Sequence, residues 1–274
     1  MNNHPNDLLM EDFSRYNGEG TMLRKAQKRL LEMLIDFDHI CRKYNIQYFL
    51  SGGTCLGAVR HGGFIPWDDD VDIDIWYEDY QKLVDVLNKE ASVKYFVQTY
   101  SSNKAFGRTY IRLVDRSSKV MYKDNSTRDN FLYHGLWLDV LPLKKCYSYR
   151  LKKNIDRFYV ASMMHKAAYV KRSHIKRFVA FMIYPIIKFL VLIFQNLFSR
   201  FAPENKISHI FGTGITPKLN KSHCFPVKEI FFEGHAFLGP ANPHKYLENL
   251  YGKDYMVLPS EQNRKQHALS IEIG

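Results

Sequence analysis

SGGTCLGAVRHGGFIPWDDDVDIDIW, residues 51–76, decides the reading of this chain. Asp68, Asp70, Asp72 and Asp74 recur at every second position. On a β-strand successive side chains face opposite sides, so Asp70, Asp72 and Asp74 share one face while Val71, Ile73 and Ile75 share the other and suit a core. Carboxylates so placed, roughly 6–7 Å apart at Cα, repel one another unless a cation sits among them. Hard divalent cations, Mg²⁺ or Mn²⁺, take such oxygen ligands, usually together with substrate phosphates. A charged loop or a guarded edge strand is the alternative. The apolar opposite face and the basic remainder of the chain argue against it.

The first half of the stretch adds a phosphate-binding element. Tyr48–Leu50 reads as a short buried strand, Ser51-Gly52-Gly53-Thr54 as a tight turn, and 54–59 as the start of a helix. Glycines between a strand and a helix let backbone N–H groups approach a phosphate, and the helix N-terminus favours its charge. Arg60 and His61 follow as further cationic contacts. A Gly-Gly pair alone signals a turn; joined to Asp-x-Asp on the next strand it supplies a phosphate cradle beside a metal site.

GGTCLGAVRHGGFIPWDDDVDI resembles, nearly residue for residue, the signature of the LicD family of phosphocholine transferases, a branch of the nucleotidyltransferase superfamily that includes the fukutin-related proteins. WLDVLPL (137–143) and LYGKDYMVLPSEQNRKQH (250–267) resemble later family segments in the right order. The resemblance implies that Asp70 and Asp72 are paired metal ligands and Asp139 the third carboxylate. It places Gly52, Gly53, Thr54 and Arg112 at the donor's phosphates. Trp67, Asp68, Asp69, Arg264 and His267 are secondary positions through their motifs. Leu141 and Lys144 depart from a usual Phe and a frequent Asp, on what would be the acceptor side. The implied reaction is metal-dependent transfer of phosphocholine, or a similar substituted phosphate, from CDP-choline or a related CDP-alcohol to a hydroxyl of a glycan or glycolipid acceptor (lipopolysaccharide, capsule or teichoic acid). Choline needs an aromatic cage, and Trp67 and Trp137, beside the acidic motifs, are candidate walls.

Composition sets the outer bounds. The chain has 274 residues, 46% hydrophobic and 15% aromatic, which excludes a disordered chain. Four cysteines without a CxxC suggest neither a zinc site nor a disulfide framework and fit a reducing cytosol. The N-terminal MNNHPNDLLMEDF lacks the basic-then-apolar run of a signal peptide. A net charge of +11 predicts an acidic partner. The excess is concentrated in 144–177, whose one acid is Asp156. No groove-reading or RNA motif accompanies it, so nucleic acid is not an expected partner.

Residues 178–198, FVAFMIYPIIKFLVLIFQNLF, are almost wholly apolar apart from Pro185 and Lys188. A helix of that length reaches about 30 Å, enough to span a bilayer. Lys188 would cost about 2.5–3.5 kcal/mol at the bilayer centre, and Pro185 would kink the helix. A helix lying in an anionic membrane interface fits better, with a core helix and a span as alternatives. The expected location is cytoplasmic, peripheral at the inner face of the cytoplasmic membrane.

The expected fold is α+β, a nucleotidyltransferase-like mixed sheet with flanking helices and a helical, partly apolar insert. Residues 1–21 read as a flexible arm, 22–145 as the catalytic core, 146–201 as the basic and apolar insert, and 202–274 as the part completing the catalytic domain. Apolar residues at 23, 26, 30, 34, 37, 41 and 44 predict an amphipathic helix capped by Thr21. A helix is expected near 77–91 and another at 243–251 opened by Pro243. Strands are expected at 95–100, 108–114, 119–123 and 136–141. A non-catalytic membrane-associated protein on the same fold is the competing reading. It predicts a damaged acid set, whereas Asp70, Asp72 and Asp139 are all intact.

Overall fold

The computed structural model describes residues 11–122, 131–166, 174–264, 266 and 268–274. From the N-terminus come α1 (Ser14–Asn17), α2 (Met22–Lys43), β1 (Tyr48–Leu50), α3 (Gly52–His61), β2 (Val71–Trp76) and α4 (Tyr80–Glu90). Strands β3 (Tyr95–Gln98), β4 (Ile111–Asp115), β5 (Ser118–Tyr122) and β6 (Trp137–Lys145) follow, then the helical hairpin α5 (Tyr149–Lys166) and α6 (His174–Arg200). The chain returns through β7 (Lys206–His209), β8 (Leu219–Asn220), α7 (Lys221–Cys224), β9 (Lys228–Phe232), β10 (His235–Gly239), α8 (Pro243–Tyr251) and β11 (Ala268–Ile273).

The main sheet is mixed, in the order β1-β2-β6-β4-β3, with β7 paired to the second half of β6 and β8 paired to β7. The one parallel pair in that order is β2 with β6. The alternation read from the sequence is present: Val71, Ile73, Ile75, Leu138 and Val140 are buried on one face. The α2 stripe of Ala26, Leu30, Met33, Leu34 and Phe37 packs into the same core. Thr21 caps α2 by accepting from the Arg24 amide (3.2 Å). Asn242 and Pro243 open α8 in the same way, Asn242 accepting from the Lys245 amide. All four cysteines are free and buried.

Several boundaries move, each for a local reason. Helix α3 begins at Gly52, so the two glycines form its first turn instead of a separate loop. β3 stops at Gln98 because Ser102 folds back to bond Val97 and Thr99. β6 runs to Lys145 because β7 pairs with its second half. Residues 11–21 are no loose arm: Phe13 and Tyr16 pack edge-on against Trp67, and Glu11 binds Arg264.

Helix α6 contains the apolar stretch, with Pro185 inside it. Its buried side is narrow, Tyr184 and Val191 against Tyr159 and Met163 of α5. Ile186 (60%) and Phe189 (64%) are exposed, as are Leu190 and Ile193, so a core helix is not what forms. Met182–Arg200 is long and apolar enough to cross a membrane by length and composition.

Candidate active site

The parallel pairing of β2 with β6 sets Asp72 directly opposite Asp139, and β4 sets Arg112 opposite Asp139 from the other side. Arg112, Asp139 and Asp72 thus form one row across three strands, on the face away from the α2 core. Arg112 donates to both Asp139 oxygens, Nε–Oδ1 and Nη2–Oδ2 each 2.7 Å. Its guanidinium lies 4.2 Å from the Trp137 ring centroid. That planar, bidentate clamp fixes the carboxylate's orientation.

Asp70 sits just before β2 and joins the row from its end. Burial, together with the charges of Asp70, Asp139, Asp74 and Asp68, pushes the Asp72 carboxyl well above the usual carboxylate range. A hard cation among these oxygens would relieve that repulsion, so the donor set fits Mg²⁺ or Mn²⁺ chemically. Among the described residues no three His, Cys, Asp or Glu side chains stand ready as a closed metal cage. Mg²⁺ usually binds through one or two carboxylates plus substrate phosphates, which needs no such cage.

The start of α3 is shaped around the acids. A Cβ on Gly52 would lie 2.8 Å from Asp72 Oδ2, and one on Gly53 would lie 3.1 Å from Asp68 Oδ2. Gly52 also has φ +50°, so a side chain there is strained as well as crowded. The glycines therefore let two carboxylates approach the helix N-terminus. The Gly52 amide donates to the Tyr246 hydroxyl (3.1 Å). Thr54 accepts from the Asp72 amide (2.9 Å), so its hydroxyl anchors β2.

The remaining expected positions divide. Arg60 donates to the carbonyls of Tyr255 and Val257, tying α3 to the C-terminal segment. Asp69 is buried and accepts from the Ala268 amide (2.7 Å), pinning β11 beneath the acidic loop. Trp67 is buried between Phe13, Tyr16 and His61, with Arg264 5.1 Å over its ring. Arg264 is bound by Glu11 and by the Pro259 carbonyl. Both tryptophans proposed as cage walls thus already carry an arginine on one face. His267 lies outside the described residues.

His61 corrects an expectation. Burial and the Arg60 and Arg264 charges push its imidazole down from 6.5 to about 4, so it is neutral at pH 7 and offers no cationic contact. The neutral ring contributes stability above the unfolded value of 6.5, lost as pH falls toward 4, at most about 3 kcal/mol. His61→Phe keeps the ring and should shrink the drop in melting temperature on acidification from pH 7 to pH 4.5. An unchanged drop would place the acid sensitivity elsewhere.

One pair escaped sequence reading. Asp74 is buried with one oxygen 2.9 Å from His209 Nε2, and His209 arrives on β7, far along the chain. Nothing in the KISH stretch marks that histidine; only the β6–β7 register brings it there.

The acids and the arginine clamp in one row, with the glycine turn beside Asp72, make an arrangement that suits phosphate-group transfer. The model of the LicD/FKTN/FKRP nucleotidyltransferase-domain family matches residues 45–192, and the chain belongs to that family. It is 30% identical over 260 residues to the lipopolysaccharide cholinephosphotransferase LicD of Haemophilus influenzae, covering 89% of this chain and 95% of that protein. The human ribitol 5-phosphate transferase FKRP is 32% identical over 97 residues, 34% of this chain and 20% of that protein. Human ribitol-5-phosphate transferase FKTN is 32% identical over 75 residues, 27% of this chain and 16% of that protein.

Proposed function

We propose that this protein transfers phosphocholine from CDP-choline to a hydroxyl of a cell-surface glycan such as lipopolysaccharide, by nucleotidyltransferase-like chemistry that depends on a divalent metal. The observation that carries the reading is the row Arg112–Asp139–Asp72, three functional groups in direct register on adjacent strands. Choline is favoured by the Haemophilus relative, which matches this chain along most of its length.

Asp70, Asp72 and Asp139 would hold Mg²⁺ or Mn²⁺, which when bound would neutralise charge on the donor's diphosphate as it breaks. Asp139, held in place by Arg112, or an oxygen beside it, would accept the proton of the acceptor hydroxyl. The acceptor oxygen forms the new P–O bond, and the bond to CMP breaks. Glycines 52 and 53 keep the helix start narrow, so that phosphate oxygens and carboxylates meet at its positive end.

Donor binding is tested by thermal stability. With Mg²⁺, CDP-choline at a hundred times its Kd adds about 2.7 kcal/mol to the folded state and raises the melting temperature; EDTA removes the shift. A shift with CDP-ribitol and none with CDP-choline would overturn the choline assignment.

We further propose that the exposed apolar face of α6 lies in the interface of an anionic membrane on its cytoplasmic side. The basic charge of α5 beside that face suits anionic lipid, and salt should weaken the attachment. The protein should pellet with anionic liposomes and wash off partly at high salt. Ile186, Phe189, Leu190 and Ile193 replaced together by Ser should leave it folded and in the supernatant. Pelleting of that variant would show that this face is not the anchor.

A further inference from the structure

A cleft of about 640 Å³ opens between the α5–α6 hairpin and the sheet, and none of Asp70, Asp72, Arg112 and Asp139 lines it. Tyr77, Tyr100, Tyr159 and Tyr184 wall it, and Lys144 and Lys188 stand at its rim. Tyr159 and Tyr184 are stacked at 6.2 Å with their planes 8° apart, and Tyr100 leans on Tyr184 at 6.1 Å. Tyr159 and Tyr184 are buried against each other, so stacking area and hydroxyl tips come from the half-buried Tyr77 and Tyr100, which suits a ring with an apolar C–H face and a hydroxylated edge. The charge at the rim chooses among such ligands. Two lysines and one carboxylate, Glu78, line the cleft, and Lys144 donates to the Asn196 side-chain oxygen (3.2 Å). Lys144 Nζ lies 4.7 Å from the Tyr77 ring centroid, and Lys104 Nζ lies 4.7 Å from that of Tyr100. A lysine thus already covers one face of each of these rings, which disfavours a quaternary ammonium and favours an anion.

We propose that this cleft binds a sugar ring carrying an anionic group, as part of the acceptor. The assignment to the acceptor rests on the reading of the protein as a glycan-directed transferase. Thr109 also lines the cleft and stands three residues from Arg112, at most about 11 Å along the chain. One oligosaccharide can therefore fill the cleft and reach the acidic row. The other wall is α6 itself, through Tyr184, Lys188 and Val191, so a glycan entering here runs beneath the helix whose outer face is apolar.

The test uses calorimetry on the full chain with the 1-phosphates of glucose, galactose and N-acetylglucosamine, against methyl glucoside and inorganic phosphate. At least one sugar phosphate should bind saturably, and more tightly than either control. Lys144→Gln with Lys188→Gln, both at the rim, should weaken it at least tenfold; Tyr100→Leu should do the same, while Asp70→Asn should leave it unchanged. No binding by any of the three sugar phosphates overturns the proposal. So does binding that survives the cleft substitutions, or that is lost in Asp70→Asn. Failure of transfer from CDP-choline with the cleft binding intact would refute the transferase reading and leave the sugar site standing.

Discussion

Asp72→Asn should lower transfer at least about a thousandfold, about 4 kcal/mol of transition-state stabilisation, while the protein stays as stable as before or becomes more so. The two halves of this result have one cause. Asp72 is crowded by Asp70, Asp139, Asp74 and Asp68, and its charge is unfavourable in the folded protein. Removing that charge relieves repulsion without opening a cavity. The same charge is what a metal and a diphosphate would need. Steady-state rates beside a melting curve check both halves. A variant that loses stability along with activity would mean that Asp72 is a structural group, and one that keeps its rate would remove it from the chemistry.

Arg112→Ala should be the most damaging single change to the fold near the site. Arg112 and Asp139 are both nearly buried, at 10% and 13% side-chain exposure, and are joined by two short bonds. Removing one partner of such a pair typically costs about 3–5 kcal/mol, because the other is left buried without it. Trp137 would also lose the guanidinium that covers its ring. Arg112→Lys keeps the charge and loses the fork, so it should fall between wild type and alanine. The double variant Arg112→Met, Asp139→Leu should regain most of the stability and none of the activity. Denaturant unfolding of the four proteins decides this. A double variant as unstable as Arg112→Ala would contradict the account of the pair.

How much of this was legible beforehand follows from the range of each interaction. Alternation in 70–76 and the stripe in 22–44 are local patterns, and both the buried face of β2 and helix α2 formed as those patterns require. The opposition of Asp139 to Asp72 is a register between distant strands, which no local pattern fixes; motif resemblance supplied it. The Asp74–His209 contact had neither signal. The sequence of Gly52 and Gly53 predicts room for phosphate, and the nearest groups in the structure are the carboxylates of Asp72 and Asp68. Residue type told that something must come close, and not what. His61 departs from its motif for a similar reason: a histidine's charge depends on burial and neighbours, here Arg60, Arg264 and an aromatic cluster assembled partly from residues 11–21.

The central claim is tested most directly by incubating the purified protein with Mg²⁺, CDP-choline and soluble lipopolysaccharide oligosaccharide, then measuring CMP release and the mass of the glycan. The account predicts that CMP appears in step with phosphocholine on the glycan, and that both vanish with EDTA or in Asp72→Asn. CMP released without modification of the glycan, or transfer that continues in EDTA and in Asp72→Asn, would contradict it.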